Sequence, residues 1–314
     1  MHVDVRVLGK IKLFVNDSEV NLGDRKQRLL LANLAIERRL VEKPQIIERL
    51  WPEEEVPENP AELVYNYVNR IRAAFTKAGV DGAAVLATSH NIGYELKVAA
   101  HQVDYHRFRA LRARAEVALI DRRADEAARL GRLALAEWGS PAGLLGGTPL
   151  EREERQLQGR IRAMQLDYRA TLMLCLDAEM RCGQHRRLLP ELALLAADDY
   201  GSDDQELARL RMLAHFRSGQ KKEAIMVYVK LEDVLSEKHG SSPDEETKEM
   251  HRQIKKDDEA LNLEGAETVA HAATGDAAAQ AAPSFTGTNV YQTGEHARSF
   301  VAQHITYNEG SDNT

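Results

Sequence analysis

Cysteine is scarce in this chain. Cys175 and Cys182 are its only two in 314 residues, seven positions apart and without His or Cys partners at ligand spacing. That excludes a disulfide framework and gives no support for a zinc site, so both read as ordinary residues of a reduced, cytoplasmic protein. Long apolar runs are missing too: neither the amino terminus MHVDVRVLGK nor any later segment approaches the roughly 20 apolar residues that a membrane span needs. No paired carboxylates, nucleophile-base set or metal cluster stands out, so neither an enzyme nor a cofactor is expected. The Gly-rich piece Gly139–Gly147, GSPAGLLGG, lacks the Lys-Ser/Thr and the preceding strand of a phosphate loop and reads as a connector. Excess positive charge is also absent. The net charge is −7, and residues 1–100 hold 14 Lys and Arg against 14 Asp and Glu. Any affinity for nucleic acid must therefore come from local clustering.

What the chain does have is a 43% hydrophobic composition, normal for globular protein, and enough length for two domains and a tail. Its organising stretch is Asn59–Ala78, NPAELVYNYVNRIRAAFTKA. Asn59 is placed to cap a helix, Pro60 sits where a missing N–H is harmless, and Glu62 can complete a capping box. Val64, Val68, Ile71 and Phe75 recur at helical spacing and should face a core. The opposite side presents Glu62, Asn66, Asn69, Arg70, Ala73 and Lys77, with Tyr65 and Arg72 along one edge. Amide, guanidinium and phenol groups hydrogen-bond base edges and phosphates. Taken alone, the same face could equally be the solvated side of an ordinary amphipathic helix.

Upstream, Val3–Leu8, Ile11–Val15 and Glu19–Leu22 alternate as short strands, with a turn at Asn16-Asp17-Ser18. Asp24, with Gln27 three residues on, marks the start of a helix running to about Glu37 with Leu30, Leu31, Leu34 and Ala35 inside. Lys26 and Arg28 lie in its first turn, where cations oppose the helix dipole unless a phosphate approaches; they are either phosphate contacts or solvated charges. A second helix spans Pro44 to Trp51, followed by the acidic, proline-rich loop WPEEEVPENP with an exposed-looking tryptophan. Val85–Thr88 and Ile92–Val98, joined by Ser89-His90-Asn91, make a two-strand hairpin. Sheet, three helices and terminal hairpin predict a winged helix whose third helix enters the major groove.

Four segments resemble a known family in order and spacing: LGDRKQRLLLANL (Leu22–Leu34), IIERLWPEE (Ile46–Glu54), NPAELVYNYVNRIRAAF (Asn59–Phe75) and GYEL (Gly93–Leu96). They are similar to the OmpR-type DNA-binding domain of the SARP family, the actinomycete antibiotic regulatory proteins. The likeness continues through VDYHRF (Val103–Phe108) into that family's bacterial transcriptional activation domain, covering roughly residues 3–256. It implies a winged-helix domain over residues 1–100 and a helical activation domain over 101–256, which leaves a tail over 257–314. The implied function is an activator of secondary-metabolite genes that binds promoter direct repeats as two copies side by side and recruits RNA polymerase. Carried over residue by residue, the DNA-facing positions are Tyr65, Asn66, Asn69, Arg70 and Arg72. Lys26, Arg28, Lys77 and His90 are further candidate contacts from the reading of the residues. The loop Trp51–Glu58 would face polymerase through Trp51, Glu53, Glu54 and Glu55, although Trp51 could instead be a core residue closing the second helix. The wing departs from the family: Ser89, His90 and Asn91 stand where members commonly place an arginine.

Residues 104–256 read as helix almost throughout. Gly183-Gln184 and Gly219-Gln220 lie 36 residues apart, near the roughly 34-residue tetratricopeptide period, which predicts helix pairs. Ser242-Pro243 with Glu245 predicts a capped last helix through Ile254. From about Ala260 the composition turns to Ala, Gly, Thr, Asn and Gln and predicts a disordered tail, in which NVYQTG (Asn289–Gly294) faintly resembles stacking amyloid-signalling motifs. The alternative from a different class is a helical-repeat signalling adaptor whose winged helix makes protein contacts; the neutral charge of residues 1–100 favours it, and the cations Lys26, Arg28, Arg70 and Arg72 favour DNA.

Overall fold

A computed structural model of the chain describes residues 2–51, 53–89, 92–139, 158–197 and 201–262. The connector Gly139–Gly147, apart from Gly139, and the motif Asn289–Gly294 lie outside these residues. The first three strands pair antiparallel in the order β1 (Val3–Arg6), β2 (Lys12–Val15), β3 (Ser18–Val20), with Val3 opposite Val15 and Leu13 opposite Val20. The β2–β3 connection turns on Asn16 and Asp17 at φ 46° and 64°. Two successive positive φ values are what a two-residue hairpin matching strand twist requires, and Asn and Asp tolerate them best.

Helix α1 (Arg25–Glu37) follows, then a short strand β4 (Val41–Glu42), α2 (Lys43–Leu50) and α3 (Pro60–Lys77). A one-turn helix, α4 (Gly82–Val85), is capped by Asp81, which accepts N–H groups from Ala83 and Ala84, and leads into the hairpin β5 (Leu86–Ser89) and β6 (Gly93–Leu96). The two-strand hairpin forms as predicted, with Leu86 opposite Leu96, and a third strand joins it. β4 pairs with β6 to give the order β4-β6-β5, and two residues are too few for alternation to announce a strand. Gly93 makes that pairing possible, since a Cβ there would stand 1.9 Å from the Val41 carbonyl oxygen.

Beyond a 3-10 turn at Ala100–Gln102 the chain is helical: α5 (Asp104–Ile120), α6 (Ala124–Ala136), α7 (Gln158–Arg181), α8 (His185–Ala196), α9 (Gln205–Arg217), α10 (Lys221–His239) and α11 (Glu245–Lys256). Gly183 and Gly219, in the turns before α8 and α10, both have left-handed φ, 75° and 77°, the conformation glycine adopts without strain. The last helix is capped by Asp244, which accepts the Thr247 N–H at 2.7 Å, and not by Ser242. A recurrent device joins successive helices: Arg169 of α7 pairs with the α9 cap Asp204, and Arg209 of α9 with the α11 cap Asp244. A final 3-10 turn, Glu259–Leu261, buries Leu261 against the α9–α11 core.

The described residues belong to one compact unit, Met1–Glu264. One core runs from the first sheet through Phe108, Trp138 and Tyr168, whose rings meet edge to face at 5.5 and 4.9 Å. Asp104, at the start of α5, is buried and accepts the N–H groups of Val7 at 2.9 Å and Leu8 at 3.0 Å. Burial pushes its carboxyl up to about 7, against the opposing pull of those two N–H groups. Arg107 bridges Asp4 and Glu137. For Asp4, burial raises the carboxyl, but Arg107 and Arg6 outweigh it and hold the group below its ordinary range. Glu37, closing α1, gathers Arg39, Arg49 and Arg160. The sheet and α1 are thereby fastened to α5 and α7 by charge as well as by apolar packing.

Candidate nucleic-acid interface

Helix α3 buries Val64, Val68, Ile71 and Phe75 completely against its neighbours, the four positions that helical spacing assigns to the core. Each such side chain contributes about 1.5–3 kcal/mol through removal from water. This fixes the rotation of the helix about its axis and so decides what the other side presents. Glu62, Tyr65, Asn66, Arg70, Ala73 and Lys77 are exposed, with Asn69 half-buried. Tyr65 is 55% exposed, unusual for so large a ring. The start of the helix differs in detail, because Asn59 occupies the cap position but its side chain accepts no cap hydrogen bond.

Three of the expected contacts are placed otherwise. Arg72 turns back toward the hairpin, where Nε and Nη2 donate to the Leu86 carbonyl at 2.9 and 2.7 Å and Nη2 also donates to Thr88 Oγ1. Its five donors form a fixed fork, and using it on β5 makes Arg72 a strut between α3 and the hairpin. Lys26 donates Nζ to the Leu50 carbonyl and stands 5.8 Å over the Trp51 ring. A cation at the carbonyl end of α2 complements that helix's dipole, which resolves its apparently poor position in α1. Trp51 is not exposed: it is 7% accessible, belongs to the core, and stacks on Tyr67 of α3 at 6.2 Å. Of the two positions the sequence leaves open, the core one is taken, and the partner that buries the ring, Tyr67, lies on the flank of α3.

Arg28 donates Nη1 to the Gly23 carbonyl at 2.7 Å and lines, with Lys10 and Lys12, an open cavity of about 720 Å³ beside the first sheet. Glu54 and Glu55 are exposed in the 3-10 turn Glu53–Glu55, next to Val56, which is likewise exposed. The side chain of Glu53 and all of His90 lie outside the described residues. At the hairpin turn Ile92 is exposed, a residue that alternation alone would have turned inward. Sequence reasoning also missed the link between the first turn of α1 and the exposed face. Asp24 occupies the N-cap position of α1, but its side chain accepts no cap hydrogen bond; its carboxylate lies 3.4 Å from Arg70 Nη1. The Asp-x-x-Gln pattern signals a cap, and nothing local in it points 46 residues ahead. Among the described residues no group of three or more His, Cys, Asp or Glu is placed to hold a metal, and no helix is long and apolar enough to cross a membrane.

Residues 103–255 match the family described as Bacterial transcriptional activator domain. The transcriptional regulatory protein MoaR1 of Mycobacterium tuberculosis is 28% identical over 255 residues, covering 80% of this chain and 79% of that protein. The regulatory protein DnrI of Streptomyces peucetius is 26% identical over 282 residues, 86% of this chain and 98% of the relative. Across both parts of the chain the similarity is thus to SARP-type transcriptional regulators. Among solved structures, Mycobacterium tuberculosis EmbR in complex with a low affinity phosphopeptide matches with a TM-score of 0.74 and 25% identity, over 82% of this chain and 65% of that one. About a third of the EmbR chain therefore has no counterpart in the match.

Proposed function

We propose that this regulator is a sequence-specific DNA-binding transcriptional activator, built as an OmpR-type winged helix followed by a tetratricopeptide-like helical domain. One observation carries the reading. On α3 a completely buried apolar line is backed by an exposed row of Tyr65, Asn66, Arg70 and Lys77, which suits a helix laid in the major groove. The β5–β6 hairpin, braced by Arg72, would approach the adjacent backbone. Glu54, Glu55 and Val56 project beside that helix, where DNA phosphates repel carboxylates, so their partner would be protein, namely RNA polymerase. The family resemblance supports direct repeats, two copies side by side and secondary-metabolite (antibiotic) genes as targets.

Gel shifts with duplexes from the chain's own genomic neighbourhood and with random duplexes, at several salt concentrations, test the reading. Arg70→Ala and Asn66→Ala should each weaken binding to the preferred duplex by about 1–3 kcal/mol while leaving the fold intact. Wild-type binding by both variants would misassign the reading helix and favour the adaptor reading, in which the same face meets protein.

A further inference from the structure

The exposed face of α3 contains one side chain that is held from behind. Arg70 is 62% exposed, yet its Nη1 points back to the first turn of α1. There Gln27 is 3% exposed, and its amide satisfies both neighbours in one orientation: Nε2 donates to the Leu22 carbonyl at 2.6 Å, and Oε1 accepts from Arg70 Nη1 at 3.0 Å. Asp24 adds its carboxylate at 3.4 Å from the same nitrogen. The loop before the helix is shaped around that amide. Gly23 has φ +77°, and a Cβ there would come within 2.6 Å of the Gln27 side chain. A buried amide fixed at one end by a backbone carbonyl is a rigid post, whereas an exposed arginine tethered to nothing samples many rotamers.

We propose that Gln27 is a positioning residue for base recognition: it fixes the Arg70 guanidinium by Nη1, so that Nε–H and Nη2–H, a parallel pair of donors, face outward. That pair matches the O6 and N7 acceptors of guanine, and the inference rests on α3 being the reading helix. Fixing the side chain before binding removes an ordering cost that a free arginine meets on complex formation. Asp24 holds the same nitrogen more loosely, being solvent-exposed and farther away.

The test uses the full chain and a four-member cycle of wild type, Gln27→Met, Arg70→Ala and the double variant, each checked for melting. On the duplex the wild type prefers, Gln27→Met should bind about 5–20-fold more weakly, with no further loss when added to Arg70→Ala, and with binding to random duplex unchanged. Replacing single guanines of that duplex by 7-deazaguanine should weaken the wild type at one guanine per site and leave Arg70→Ala indifferent there. Independently of DNA, arginine Nε–H relaxation by NMR on the wild type should find Arg70 ordered like the half-buried, doubly paired Arg107 and unlike the exposed Arg252, and Gln27→Met should release it. An equal loss from Gln27→Met in both backgrounds, or an Arg70 as mobile as Arg252 in the wild type, overturns the proposal. A wild type with no preference among duplexes would instead sink the reading-helix assignment, and the relaxation measurement would still decide whether Gln27 holds Arg70.

Discussion

Replacing Trp51 by alanine separates architecture from activation. The ring is 7% exposed, stacks on Tyr67 of α3 and lies under Lys26 Nζ. Deleting a buried tryptophan leaves a cavity and removes its transfer free energy, together about 3–5 kcal/mol. At about 2–4 °C per kcal/mol for a unit of this size, the melting temperature should fall by roughly 6–20 °C. Because Tyr67 belongs to α3, DNA binding should fall with stability. Glu54→Lys is the counterpart: an exposed site away from any cap or core should stay within about 0.5 kcal/mol of wild type. If that loop meets polymerase, this variant keeps promoter binding in a gel shift and loses transcription in a purified system. Thermal melting, gel shift and transcription on both variants make the assay. A Trp51→Ala protein that melts within 2 °C of wild type, by the same scale about 1 kcal/mol or less, would refute the burial argument.

Two further perturbations probe the frame around the interface. Arg72→Met keeps the apolar stem but strips the Leu86 carbonyl and Thr88 of their donor, so the hairpin should loosen by about 1–3 kcal/mol; hydrogen exchange at β5 and β6 amides that stays at the wild-type rate would show the strut is dispensable. Asp104 has a carboxyl raised to about 7 in the folded chain, so between about pH 4 and 7 the folded state binds more protons than the unfolded one and stability falls as pH rises. The difference between wild type and Asp104→Asn in urea midpoints should follow that decline and level off above pH 7, isolating it from the opposite behaviour of Asp4, whose lowered carboxyl loses its contribution only as pH falls; a difference constant with pH would contradict the burial of the charge.

The backbone of this interface was legible in the sequence because its causes are local. Val64, Val68, Ile71 and Phe75 announce α3 by spacing, and the structure buries all four. Asn16-Asp17 announces the hairpin turn by residue type, and both adopt positive φ. What escaped was every feature whose cause is distant in the chain. Lys26 was read from its place in α1, but its partner is the carbonyl end of α2. Arg72 fell on the helix edge that also faces β5, and spacing cannot distinguish a strand edge from a groove. For Trp51 the sequence leaves a surface and a core position open, and Tyr67 decides for the core. β4 is two residues long and exists because β6 lies beside it. Periodicity reports which face of an element is buried; it does not report what lies beyond its edges.

The charge balance can now be resolved residue by residue, and it bears on how tightly one copy binds. The 14 cations among residues 1–100 exceed what DNA could meet, since several have internal partners: Arg6 pairs with Asp4, Lys12 with Glu19, Arg39 and Arg49 with Glu37, Lys26 with the end of α2 and Arg72 with β5. The face of α3 proposed to read DNA offers Lys77 and Arg70, the latter held at one nitrogen by Asp24, and half-buried Arg28 near the start of α1 donates to the Gly23 carbonyl. If about three phosphates or fewer are neutralised per copy, log K should fall with log salt at a slope near −3, against about −9 for a protein making ten phosphate contacts. Such shallow electrostatics gives weak non-specific affinity, so occupancy of a promoter should depend on a second copy raising the effective concentration of the first. Removing one of two direct repeats should accordingly cost far more affinity than loss of one of two independent sites, and the salt slope on the remaining repeat should be about half that on the pair. A single repeat bound as tightly as the pair, with a slope steeper than about −6, would mean that phosphates are met by cations other than those assigned to this face.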